Sequence, residues 1–230
     1  MFVSSRVLLV SGVGVDTFRV RYQTLEFRGM DLHVRSLRDR NQFADPAGAA
    51  AAAGISSASW PLFGVLWDSG IVLADLMLDQ PVEDLRILEV GCGLALSSLV
   101  LGLRGANVTA TDQHPEAASF LRSNIALNSA PPIPFHRIDW TEPSRKIGTF
   151  DIIIGSDVLY ERGHAAALSG LVERHAAPHG QVVVADPGRS HVGRFVRQMA
   201  GCGWSADRCQ APSTAPVDGR KTGHVVRFDR

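Results

Sequence analysis

Apolar residues along this chain follow two rhythms. Between Val20 and Ser36 they alternate with polar ones in two runs, Val20 to Phe27 and Met30 to Ser36, flanking Arg28-Gly29. Alternation on either side of a tight Gly-containing turn predicts a β-hairpin. From residue 86 onward, short apolar runs alternate with longer segments of helical periodicity. The runs at 86–90, 107–111, 133–138, 150–155 and 181–185 predict strands, and the segments near 94–104, 115–128, 164–176 and 191–201 predict helices. Strands that alternate with helices require parallel crossovers, so the expected fold is α/β, a Rossmann-like sheet with helices on both faces and the hairpin beside it. Two last apolar segments, Gly203 to Cys209 and Gly223 to Phe228, bring the expected sheet to seven strands. The stretch between them, Ala211 to Thr222, is rich in Pro, Ser, Thr and Gly and reads as a loop.

Between hairpin and core, Asp45-Pro46 opens an Ala/Gly-rich stretch and predicts a helix capped by Asp45 with proline at its first position. The run Trp60 to Trp67 sets large apolar side chains ahead of a predicted helix, Asp68 to Leu78, expected to lie against the sheet. Residues 1–19 carry no pattern and are expected to be a loose tail, leaving 20–230 as a single domain with its core from 81 onward.

Composition narrows the function. Lys plus Arg equals Asp plus Glu, a formal net charge of zero, so the basic footprint needed for tight phosphate-backbone binding is missing and nucleic acid is excluded as a partner. Cys92, Cys202 and Cys209 are an odd set without C-x-x-C spacing, which argues against a disulfide framework and a zinc site and fits a reducing cytoplasm. His175 and His179 have ligand-like spacing, but Pro178 breaks the helix between them, and no metal is expected. No apolar run approaches the roughly 20 residues of a membrane span. Arg6 to Val10 lacks the small-residue cleavage site of a signal peptide. A monomer is expected.

The candidate chemistry begins at Arg86-Ile87-Leu88-Glu89-Val90-Gly91-Cys92-Gly93, a buried strand running into two glycines before a helix. Glycines permit a sharp turn and close approach of a ligand, and the helix N-terminus points at the same place. Cys92 lies inside the turn, where small size explains it. Asp112, 21 residues after Gly91 at the end of the next strand, can accept both hydroxyls of a ribose. A nicotinamide dinucleotide fingerprint would carry a glycine where this chain has Leu96, and Glu89 is extra to it. Glu/Asp-x-Gly-x-Gly-x-Gly resembles the first motif of class I S-adenosylmethionine (SAM) methyltransferases. The third glycine is Ala95 here, and its methyl is expected to narrow the cofactor's approach.

Glu89, Asp112, Asp139, Asp157 and Asp186 all fall at carboxyl ends of predicted strands, where open parallel sheets bind ligands. Asp139 can accept from an adenine amino group, with the Trp140 indole beside it. Asp157 and Tyr160, three apart, are expected to share a face over the methyl end of the cofactor, where their oxygens can accept from an amine. The arginines Arg35, Arg38 and Arg40 read as a solvated face, with 38–43 an alternative cover for the cofactor.

The pieces around Trp67, Leu88 to Gly93, Asp139-Trp140 and Ser156-Asp157-Val158-Leu159-Tyr160 resemble methyltransferase family 16 over about residues 60–200. That family is the seven-β-strand class containing many protein-lysine methyltransferases. The resemblance implies that Asp157 and Tyr160 stand by the target amine as catalytic residues. It implies SAM contacts from Trp67, Glu89, Gly91, Cys92, Gly93, Asp112, Gln113, Asp139, Trp140 and Ser156. Asp186-Pro187-Gly188-Arg189 is similar to a segment of the electron-transfer flavoprotein β-subunit lysine methyltransferases. The implied partner is a protein presenting a lysine; a nicotinamide-like small amine and a non-catalytic SAM-binding module are the alternatives. Base-amine methyltransferases carry Asn/Asp-Pro-Pro-Tyr/Phe after strand four, which Ser-Asp-Val-Leu-Tyr does not match.

Overall fold

In the computed structural model, residues 18–142, 147–211 and 223–230 are described. The tail expected over 1–19 and the loop expected over 211–222 lie largely outside them. The hairpin pairs β1 (Val20–Phe27) with β2 (Met30–Leu37) antiparallel, Phe27 facing Met30 across the turn. Arg28 and Gly29 both take positive φ, 32° and 94°, which matches the right-handed twist of the strands they join.

The main sheet holds β3 (Arg86–Val90), β4 (Asn107–Asp112), β5 (Phe135–Arg137), β6 (Phe150–Ser156), β7 (Ala176–Asp186), β8 (Ser205–Gln210) and β9 (His224–Asp229) in the order β5-β4-β3-β6-β7-β9-β8. The first five run parallel, and β9 inserts antiparallel between β7 and β8. Strand β5 is shorter than the apolar run predicts, because Pro131, Pro132 and Pro134 supply no N–H to a ladder.

The crossovers are α3 (Leu96–Leu103), α4 (Ala117–Leu127), α5 (His164–His175) and α6 (His191–Gly201), with α2 (Asp68–Leu76) packed on α3 and the centre of the sheet. Alternate strand residues divide into two cores. Ile87, Ile152, Ile154 and Val183 face the side of α2 and α3, while Leu88, Ile153, Val182 and Val184 face the side of α5 and α6.

Two expectations need correction. The Ala-rich helix is a single turn, α1 (Ala49–Ala52), and Pro46 precedes it in a separate turn. Asp45 still serves the helix start, accepting from the backbone N–H of Ala50 at 3.1 Å and of Ala51 at 2.9 Å, which lowers its pKa. Gly54 at φ 72° ends the run. Arg35 is not part of a solvated face, being only 5% exposed. Its guanidinium lies 4.3 Å from the centroid of the Phe120 ring, under the hairpin, while Arg38 and Arg40 are exposed.

Candidate active site

The ends of β3, β4 and β6 and the loops after β5 and β7 surround a cavity of about 470 Å³. At its base the β3–α3 turn puts Gly91 and Gly93 at φ 58° and 51°. A Cβ on Gly93 would lie 2.7 Å from the Phe63 carbonyl, and one on Gly91 would lie 2.8 Å from Val158 and 3.3 Å from Trp140. Only glycine fits either place. Cys92 donates its backbone N–H to the Thr111 carbonyl at 2.9 Å, joining the turn to β4.

Ala95 is also left-handed, at φ 59°, but it is fully buried among core residues and does not line the cavity. The expected narrowing of the cofactor's approach is therefore corrected. Its methyl points into packing, and what it costs is about 1 kcal/mol of backbone strain.

Glu89 shares the Ile87 face of β3 and reaches α3. One of its oxygens accepts from the Ser98 backbone N–H at 2.9 Å and from the Ser98 hydroxyl at 2.5 Å. Burial pushes this carboxyl up to about 7, against the pull of the two Ser98 bonds. Glu89 thus braces the glycine turn from below as well as lining the cavity. Asp112 is similarly buried and its pKa is raised, chiefly by desolvation. It accepts from the N–H of Gly93 at 2.8 Å and of His114 at 2.8 Å, so one carboxylate links the first two loops.

Trp67 caps α2, donates its indole N–H to the Leu62 carbonyl at 2.9 Å and lines the cavity. Arg40 covers the Trp67 ring at 5.4 Å, and no residue of 38–43 lines the cavity itself. Gln113 donates to the Ala53 carbonyl at 2.8 Å, which ties the end of α1 to the β4–α4 loop. Asp139 spends one oxygen on the Thr141 N–H and hydroxyl, at 2.8 and 2.7 Å. Trp140 lies over Gly91, and Ser156 ends β6 against Gly70.

At the other end stand Asp157 and Tyr160, both lining the same cavity. Asp157 sits at φ 59°, its backbone N–H bound to the Ala185 carbonyl at 2.9 Å. Its carboxylate meets the Arg189 guanidinium. Tyr160 stacks edge-on against His164 with ring centroids 4.4 Å apart. Its phenol is pushed up to about 12, by lost hydration first and then by the charges of Asp112 and Glu161, so it keeps its proton at neutral pH.

Sequence reasoning missed several lining residues. Gly54, Ile55, Ser59 and Phe63 form one wall, and His164 and Arg189 flank the mouth. His114 accepts at its Nδ1 from the Glu116 N–H at 3.1 Å, ahead of α4. It also stacks on Phe63 at 3.8 Å and lines the cavity. Desolvation lowers its pKa to about 3, so it stays neutral. Asp186 is the one strand-end acid that does not line the cavity. His175 turns instead to the Gly148 carbonyl at 2.8 Å.

Comparison with known proteins bears on the family and the fold. A family model described as lysine methyltransferase covers residues 60–200. The electron transfer flavoprotein beta subunit lysine methyltransferase of Xenopus laevis is 31% identical over 134 residues, 56% of this chain and 54% of that protein. The protein N-lysine methyltransferase METTL21A of Mus musculus is 36% identical over 105 residues, 42% of this chain and 47% of that protein. The chain spans about half the length of the curated relatives it matches. Among solved structures, a putative SAM-dependent methyltransferase from Streptococcus mutans aligns with TM-score 0.63 at 14% identity, covering 91% of this chain and 55% of that one. The ribosomal protein L11 methylase of Lactobacillus delbrueckii aligns with TM-score 0.52 at 22% identity, covering 69% of this chain and 77% of that one. At these identities the likeness concerns the fold.

Proposed function

The chain belongs to the lysine methyltransferase family, and on that premise we propose that it transfers the methyl group of SAM to the ε-amine of a lysine in a protein substrate. One observation carries the reading: a single cavity joins the glycine turn and Asp112 at one end to Asp157 and Tyr160 at the other. The residues present fit the cofactor. Gly91 and Gly93 leave the backbone open where a side chain would intrude, and each Asp112 oxygen keeps a lone pair for a ribose hydroxyl after its backbone bond. Asp139 retains one oxygen for an adenine amino group. Trp67, Cys92, Gln113, Trp140 and Ser156 supply the remaining walls, and Glu89 holds the turn in shape. When bound, SAM supplies an electrophilic methyl group on a cationic sulfur.

This chain's own residues align and shield the acceptor. Tyr160 offers a phenol oxygen to an amine proton, and the rings of Trp140 and His164 narrow the mouth around an unbranched side chain. In-line transfer depends mainly on such positioning and on exclusion of water. The reading extends to residues 20–230 acting as one domain, monomeric and cytoplasmic. The free Cys92, Cys202 and Cys209 suit a reducing compartment, and no described helix is long and apolar enough to cross a membrane.

The test is incubation with methyl-labelled SAM and a cell extract, followed by separation of protein, nucleic acid and small molecules. Label on lysine in the protein fraction is expected. Label confined to small molecules would replace the protein acceptor with a small amine, and no label in any fraction would leave a binding module.

A further inference from the structure

Arg189 comes from the loop after β7, outside the residues placed at the reacting end by sequence motif, yet it lines the cavity and its guanidinium meets Asp157. The loop is built to hold it there. Asp186 accepts from the backbone N–H groups of Gly188 and Arg189, each at 2.7 Å on the same oxygen, and Gly188 takes φ 96° to make the turn. The Asp157 backbone is bound to Ala185 in the same strand, so both partners hang from the end of β7. The Asp157 side chain is 10% exposed and that of Arg189 33%, which leaves the pair only partly screened by water.

We propose that Arg189 is a fixed cation that cancels the Asp157 charge and thereby keeps the incoming lysine amine neutral at the point of transfer. The inference rests on the lysine-methylation reading. A lysine outside the site is an ammonium with no lone pair, with an ordinary pKa near 10.4. A bare carboxylate beside the amine would hold that proton on; a carboxylate already paired with a guanidinium does not. The ammonium releases one proton to water at the mouth. Its nitrogen lone pair then forms the N–C bond, the S–C pair stays on sulfur as a thioether, and the alkylated ammonium is the product.

Other charged groups face this pair from each side. Asp186 lies behind it, with one oxygen 3.8 Å from the same guanidinium; burial raises its pKa against the pull of its backbone bonds and of His224 and Arg208, so Arg189 meets Asp157 more closely than Asp186. Tyr160, Glu161 and His164 stand at the mouth, with Glu161 3.6 Å from His164, and Asp112 and Glu89 lie deeper. Among the described residues the cation that meets Asp157 is Arg189.

The experiment is the pH dependence of label transfer from methyl-labelled SAM to the labelled extract protein, using the whole chain and following the rate to its plateau. Arg189→Gln is expected to move the rising limb up by about one pH unit, roughly a tenfold lower rate at neutral pH, with SAM affinity unchanged. Asp157→Asn, which keeps an oxygen acceptor but leaves Arg189 uncompensated, is expected to move the limb down. The double variant should return it to the wild-type position, and Arg189→Lys should leave it there. If Arg189 instead occupied the place of the substrate amine, Arg189→Gln would lower KM and raise the neutral rate. Equal loss at every pH, plateau included, with no rescue in the double variant would reduce Arg189 to a structural role; either result overturns the proposal. Should Arg189→Gln not fold, Arg189→Met, neutral and of similar reach, takes its place with the same expected upward shift, and an unmoved limb in that variant overturns the proposal. Absence of label with the wild-type chain would reject the methyltransferase reading rather than this one.

Discussion

The carboxylate of Asp112 receives the backbone N–H of Gly93 on one oxygen and that of His114 on the other, each at 2.8 Å. One side chain therefore shapes the glycine turn and also presents its spare lone pairs to the cavity. Asp112→Ala should weaken SAM binding by about 1.5 to 3 kcal/mol, tenfold or more in Kd by calorimetry. Asp112→Asn should be nearly as harmful, because its amide NH2 would face a backbone N–H donor. Unchanged affinity in both variants would remove Asp112 from the cofactor site.

Tyr160→Phe and Asp157→Ala should lower kcat by about 10- to 100-fold while SAM affinity stays within about twofold. Both side chains follow β6, across β3 from Asp112 at the end of β4, which under the proposed function sets them by the acceptor and not by the ribose. Equal losses in turnover and in SAM binding would contradict that division of labour.

Glu89 makes a prediction about stability. Its folded-state carboxyl titrates at about 7 against an ordinary value of 4.5, so between those values the folded chain holds a proton that the unfolded chain has released. Stability attributable to this group is present below about pH 4.5 and lost as pH rises through 7. Glu89→Gln keeps an acceptor for Ser98 and has no charge to bury. Urea midpoints of the variant relative to wild type should therefore rise from pH 5 to pH 8; a difference independent of pH would show that Glu89 is not buried as described.

Helix α4 carries the hairpin through two amides. Asn124 accepts from the Arg35 N–H at 2.7 Å, and Asn128 brackets His33 by accepting from its N–H at 2.8 Å and donating to its carbonyl at 2.7 Å. Asn124→Leu should cost about 1 to 3 kcal/mol, since it strands a buried backbone donor. Hydrogen exchange should rise first at Arg35 rather than across the main sheet.

Those amides mark the boundary of what the sequence discloses. The main strands were legible because a sheet covered on both faces needs unbroken apolar runs, and Ile152 to Ile154 and Val182 to Val184 supply them. The strand-end acids were legible from position alone. Contacts between Asn124 and Arg35, 89 residues apart, leave no periodic trace. Arg35 looked like a surface residue because burial of an arginine depends on a ring, here Phe120, contributed by a distant helix. The same holds for Arg189: its segment could be matched by resemblance, but its meeting with Asp157 exists only once β6 and β7 lie side by side.

Helix α1 is four residues long, too short to repay the cost of nucleating a helix in isolation. Its order is borrowed, from Asp45 at one end and from Gln113 at the other. The wall it begins, Gly54, Ile55 and Ser59, is thus tied to the rest of the cavity through a few hydrogen bonds and not through the ladders of the sheet. Segments held in that way are the ones whose backbone opens locally at the lowest cost, so the amides of α1 are expected to exchange before those of the strands that carry the glycine turn.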